Sequence, residues 1–229
     1  AAGQTITVTD GGSIILNGGT VGTNNHAEIV AAGTSQTISA AGIGGISLIG
    51  GSSGSMNYAY INASKASANQ AVTASSGGIT LQGGSGAGNS NWAFIFDNFN
   101  GTATGGALQT ITVNDGGLLK LTGGDSTGGG SGVAITVSGV TQTITLNGGD
   151  LTLTGGPSGT GNTAVIQNQG TKADNAAVAQ NSTVNDAALV SVIAQASPAR
   201  ITSSGNQTLT IQGNSSANAL TVGTTASAE

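Results

Sequence analysis

The sequence predicts an all-β chain wound as a parallel β-solenoid (β-helix) with about six three-stranded rungs. Three observations carry that prediction. One unit recurs along the chain. Within each unit, three short runs alternate apolar and polar residues, the period-2 signature of strands. And 41 of the 229 residues are glycine, while charged residues make up 6%. Glycine supplies the positive φ that sharp corners need. A short strand with one apolar face cannot bury that face alone, but stacked copies of the unit can bury it in a continuous inner column.

The unit reads Gln-x-Ile-Thr, a glycine-containing corner, x-Leu-x-Gly-Gly, a Gly/Ser/Asn stretch, and then Ala-x-Ile. Its first copy runs Gln4-Thr5-Ile6-Thr7, Ile14-Ile15-Leu16-Asn17-Gly18-Gly19 and Ala27-Glu28-Ile29. Later copies begin at Gln36, Gln70, Gln109 and Gln142, at spacings of 32, 34, 39 and 33 residues. A degenerate last unit is expected in Arg200-Ile201-Thr202, then Leu209-Thr210-Ile211-Gln212-Gly213, with a weak third strand near Ala219-Leu220. Alternation assigns the faces. Ile6, Ile38, Val72, Ile111 and Ile144 point inward, as do Leu16, Leu48, Leu81, Leu121 and Leu153, and Ile29, Ile61, Ile95, Ile135 and Ile166. The residues Gln4, Gln36, Gln70, Gln109 and Gln142 share the inner parity of the isoleucines. Two readings fit them: a buried amide ladder from rung to rung, or glutamines at a wet corner.

Residues 1–229 read as a single solenoid domain, with residues 171–198 as an apolar insertion before the last rung. Within that insertion Asn185 or Asp186 fits as a helix cap and Pro198 as a stop, while the alternation of Leu189, Ser191 and Ile193 fits a strand equally well.

Composition narrows function. With Lys65, Lys120, Lys172 and Arg200 as the only lysines and arginines and a net charge of −5, nucleic acid is not an expected partner. No apolar run is long enough to span a bilayer as a helix, and there is no cysteine. His26 is the only histidine and no nucleophile-base constellation accompanies it, so the chain is not expected to be an enzyme. Asp10 and Asp115 share one corner position and Asp150 lies near it; turn chemistry accounts for them, and no cofactor or metal is expected.

Two surfaces stand out. The aromatic residues Tyr58, Tyr60, Trp92, Phe94, Phe96 and Phe99 lie in or just after the third strands of units two and three. The equivalent position in unit one is Glu28, which is costly to bury unpaired, so this parity faces outward. Tyr58, Tyr60, Trp92, Phe94 and Phe96 then form an outer patch across neighbouring rungs. Three uses fit it: cover by the chain's own insertion, contact with another subunit, or stacking on the sugars of an extracellular polysaccharide. The second surface is an outward Thr-x-Thr array, interrupted by Ser39 and Ala71, which resembles the ice-binding face of some antifreeze proteins.

The repeat itself resembles those of filamentous haemagglutinin-like exoproteins and autotransporter passengers of Gram-negative bacteria, over about residues 3 to 170 and again 199 to 222. The resemblance implies a secreted, elongated cell-surface protein with a role in adhesion or biofilm structure. The opening Ala1-Ala2-Gly3 suits a mature chain cleaved behind a small residue. The expected function is a structural subunit of an extracellular filament or biofilm-matrix fibre. It would polymerise with copies of itself, head to tail, through open solenoid ends. The alternative is an adhesin module binding glycans through the aromatic patch.

Overall fold

The computed structural model describes residues 2–65, 67–97, 107–170, 178–186, 189–212 and 219–224. Its first coil consists of β1 (Gln4–Val8), β2 (Ile14–Asn17) and β3 (Ala27–Ala31), and its second of β4 (Ser35–Ala40), β5 (Ile46–Ile49) and β6 (Ala59–Ala63). The third holds β7 (Asn69–Ala74), β8 (Ile79–Gln82), the short β9 (Ser85–Gly86) and β10 (Ala93–Asp97). The fourth repeats this with β11 (Leu108–Val113), β12 (Leu119–Thr122), β13 (Asp125–Ser126) and β14 (Val133–Val137). The fifth comprises β15 (Thr141–Asn147), β16 (Leu151–Thr154) and β17 (Ala164–Asn168), and the sixth β18 (Ala179–Asn185), β19 (Leu189–Ala194) and β20 (Ala199–Ser203). The strands β21 (Asn206–Gln212) and β22 (Ala219–Thr224) begin a seventh.

Corresponding strands of successive coils pair in parallel and form three long sheets: β1-β4-β7-β11-β15-β18-β21, β2-β5-β8-β12-β16-β19-β22 and β3-β6-β10-β14-β17-β20. The fold is a parallel β-solenoid. Register keeps like residues in columns. Ile6 stands beside Ile38, Leu16 beside Leu48, and Ile29 beside Ile61, as the alternation predicts. In the second to fifth coils these inner isoleucines, leucines and Val72 are fully buried. Each buried isoleucine or leucine contributes about 1.5–3 kcal/mol relative to leaving it exposed.

One expectation is overturned. The described residues of the stretch 171–198 are part of the solenoid rather than an insertion in it: β18 continues the first sheet and β19 the second. Asn185 ends a strand instead of capping a helix. The strand around Ile201 is the third strand of this sixth coil, paired with β17, and not the start of the last unit. Leu209–Gln212 therefore belongs to a first strand, and Ala219-Leu220 to a second. Residues 171–177 and 187–188, which the predicted insertion included, lie outside the described residues, as does Phe99.

The corners explain two sequence habits. Two residues past the end of the paired core of the first sheet, the backbone is left-handed at Asp10, Gly42, Asp115, Gly148 and Asp186. Aspartate tolerates that conformation better than most residues with a side chain, so turn geometry accounts for Asp10 and Asp115. Asp150 supports the next coil instead, accepting a hydrogen bond from the Leu189 amide at 2.9 Å. The first glycine of each Leu-x-Gly-Gly lies against a backbone carbonyl of the adjoining coil. A Cβ on Gly18, Gly50, Gly83, Gly123 or Gly155 would come within 2.3, 2.2, 2.2, 2.0 or 1.8 Å of the oxygen of Asn57, Asn91, Ser131, Asn162 or Ser197.

Candidate functional site

Two polar spines run the length of the stack. The first is built by the glutamines of the first sheet. Gln36 Nε2 donates to Gln4 Oε1 at 2.9 Å, Gln70 to Gln36 at 2.8 Å, Gln109 to Gln70 at 2.8 Å and Gln142 to Gln109 at 2.7 Å. Gln180 and Gln207 extend the series at 2.5 Å each. The buried-ladder reading of Gln4, Gln36, Gln70, Gln109 and Gln142 therefore holds, and the ladder is two residues longer than the sequence repeat shows. From Gln36 to Gln180 the side chains are buried, and from Gln36 to Gln142 a second set of bonds from Nε2 to carbonyls of the third strands satisfies the remaining donors. Bonded in this way, an amide is tolerable in an apolar column.

The second spine escaped the sequence reading. It occupies the corner before each third strand. The Asn25 amide donates to Asn57 Oδ1, Asn57 to Asn91 Oδ1, Asn91 to Ser131 Oγ, Ser131 to Asn162 Oδ1 and Asn162 to Ser197 Oγ, at 2.8–3.1 Å. Asn57 and Asn162 also donate through Nδ2 to two carbonyls each, including one in their own corner. The signal was present as an Asn or Ser two positions before every Ala-x-Ile or its variant.

The third sheet brings Tyr58, Tyr60, Trp92, Phe94 and Phe96 together on its outer face, with Phe94 beside Tyr60 and Tyr60 beside Glu28. The rings pack on one another. Trp92 stacks on Phe94 at 5.3 Å and 7°, and His26 on Tyr58 at 4.8 Å. Tyr58–Phe94, Tyr60–Phe96 and Phe94–Phe96 meet at 5.6–5.7 Å in edge-on or tilted geometry. The indole also covers Gly132, where a Cβ would lie 2.7 Å from the ring. The Tyr60 hydroxyl donates to the Glu28 carboxylate. Burial, with that bond and the negative charge, pushes the phenol up to about 12. Phe96 is buried, while Tyr58, Tyr60, Trp92 and Phe94 are half-buried. In this arrangement each of the five rings meets at least one neighbouring ring. His26 is engaged with Tyr58 and Tyr60, and no serine or cysteine nucleophile accompanies it among the described contacts.

The first sheet turns its threonines outward. The columns Thr5-Thr37-Ala71-Thr110-Thr143-Asn181-Thr208 and Thr7-Ser39-Thr73-Thr112-Thr145-Thr183-Thr210 run along it, and none of its strands contains a charged residue. Ala71 and Asn181 interrupt one column and Ser39 shortens the other.

The end coils differ from the middle. Leu209, Leu220 and Val222 continue the inner columns, yet they are 37%, 55% and 72% exposed. At the opposite end Ile6, Val8 and Ile29 are half-buried, although their counterparts one coil inward are buried. Among the described residues β1, β2 and β3 at one end, and β20, β21 and β22 at the other, each have one unpaired edge. No helix among the described residues is long and apolar enough to cross a membrane.

In comparison with known proteins, the chain matches no family model, no curated protein and no solved structure.

Proposed function

We propose that the chain is a structural subunit of a secreted extracellular filament or biofilm-matrix fibre. Copies add head to tail, coil upon coil. One observation carries this reading: both end coils present inner-column side chains that are covered everywhere else in the stack, beside strand edges that lack partners among the described residues. A further coil of the same repeat continues the first and second sheets at either end, and the proposal is that another copy supplies it; the third sheet is one strand shorter, so its edge on β20 stays open across such a join. The two ends are different surfaces, so their contact is heterologous. A heterologous contact that does not close on itself grows into a filament. The extracellular setting follows the resemblance to haemagglutinin-like exoproteins.

The aromatic patch fits a structural role better than the adhesin alternative. Stacking on a sugar needs an open ring face, whereas here Trp92 lies flat on Phe94 and over Gly132. The test is a sedimentation-velocity series on the 229-residue chain with negative-stain microscopy of the same samples. Species that lengthen with concentration at constant width are expected; a monomer throughout the series overturns the proposal. Binding of the protein to an extracellular-polysaccharide array, lost on Trp92→Ala, would instead favour the adhesin.

A further inference from the structure

The glutamine ladder has a direction. From Gln36 to Gln142 each Nε2 donates one hydrogen to the preceding glutamine and another to a third-strand carbonyl, as with Gln70 to Gln36 Oε1 and Phe96 O, and Gln109 to Gln70 Oε1 and Thr136 O. The carbonyl bonds fix which amide atom is nitrogen, because a flipped amide would set two oxygens against each other. The ladder therefore ends in two unlike valences. Gln4 Nε2 donates to Val30 O and has its second hydrogen unused among the described residues. Gln207 spends Nε2 on Gln180, and its Oε1 has no donor among the described residues.

We infer that this ladder sets the register and polarity of the join between copies, with Gln207 Oε1 of one copy accepting from Gln4 Nε2 of the next. The inference rests on the head-to-tail reading above and names the contact that makes it. With Gln207 opposite Gln4, Leu209 falls opposite Ile6 and Ile211 opposite Val8, and every inner column of the first sheet continues unbroken across the join. Thr208 then faces Thr5 on the outer surface. Slipping the join by two residues sets Gln207 beside Ile6 and leaves the amide valences unmet in an apolar column; slipping by one turns every side chain to the wrong face. Joining like ends opposes two donors or two acceptors.

The chain has no cysteine, so paired cysteines report the join directly. The double variant Thr5→Cys/Thr208→Cys places its two cysteines at opposite ends of one molecule, out of reach of each other. In register, the join brings those of neighbouring copies to about 4.8 Å, within disulfide range. Incubation with oxidised glutathione is expected to give a ladder of multimers on a non-reducing gel that collapses on reduction. Thr5→Cys/Thr210→Cys, two residues out of step, is expected to give little. A second experiment blocks one end at a time, with Leu209→Lys at the tail and Ile6→Lys at the head. Each is expected to sediment as a monomer alone, and an equimolar mixture as a dimer. If the parent chain never assembles, the filament reading itself fails. If the parent assembles but the out-of-step pair cross-links in preference, the register is wrong and assembly stands. Dimers of either blocked variant alone overturn the polarity.

Discussion

Asp97 is the residue most at odds with its surroundings. It has inner parity at the end of β10, between Ala63 and Val137, is fully buried, and neither carboxylate oxygen has a hydrogen-bond partner among the described residues. Desolvation raises its pKa from 3.8 to about 8. Lys65, the charged residue nearest in sequence to Ala63, is exposed and makes no ion pair among the described residues. A folded-state pKa above the unfolded value means that the native protein binds the proton more tightly. The contribution to stability is complete below about pH 4 and is lost as pH rises through about 8. Over that interval the slope approaches about 1.4 kcal/mol per pH unit. Asp97→Asn should abolish the slope and stabilise the protein at the alkaline end. Asn168, one coil beyond Val137 in the same column, shows how an amide is held there, donating to Ala179 O and accepting from the Gly170 amide. Urea midpoints measured across that pH range for both proteins check this; parallel curves would refute it.

Among the elements, the corners hold the strictest requirements. Gly83→Ala drives a Cβ to 2.2 Å from the Ser131 oxygen and 2.4 Å from the Gly124 nitrogen, backbone atoms that cannot swing aside, and is expected to cost about 1–3 kcal/mol. Gly223→Ala, with nothing within 4 Å, is expected to be silent. Met56 sits at φ 56°, in the corner position that Gly130 and Gly161 fill in later coils, and Met56→Gly is expected to gain about 1 kcal/mol. Thermal midpoints should order the three variants accordingly. The corner glycines, the strand faces and the column of glutamines were legible in the sequence because each repeats with a characteristic residue type, whereas the choice between a buried ladder and a wet corner for the glutamines needed the bonds themselves. The sixth coil was not. It carries Gln180-Asn181-Ser182-Thr183 where its predecessors have Gln-x-Ile-Thr, and Val190-Ser191-Val192 runs on without the glycine pair. Backbone pairing keeps that coil in line after its side-chain signature has decayed. The asparagine spine was missed because serine replaces it in two coils, and the shared function lies in an oxygen accepting from a backbone amide rather than in residue identity. The five aromatic residues were placed on the correct face by parity alone, but how deeply each is buried depends on ring-to-ring packing that parity does not encode.

At the scale of the whole molecule, each coil touches only its neighbours, so stability is nearly a sum of coil terms and coil-to-coil terms. The sum is uneven. The third to fifth coils have complete inner columns; the sixth substitutes Ser182 for isoleucine and Val190 and Val192 for larger residues, and the seventh has its inner side chains open. Opening is therefore expected to begin in β21 and β22, reach the sixth coil next and enter the middle last, with β1 opening independently at the other end. Amide hydrogen exchange on dilute protein should show this gradient. Concentration then separates a property of the stack from a property of the assembly. A copy added at either end supplies the missing neighbour, so protection of β1, β21 and β22 should rise with protein concentration by mass action, while the already covered amides of β7, β11 and β15 change little. A uniform rise along the chain would point to association through the sheet faces, and an unchanged gradient at concentrations where multimers sediment would show that the ends are not where copies meet.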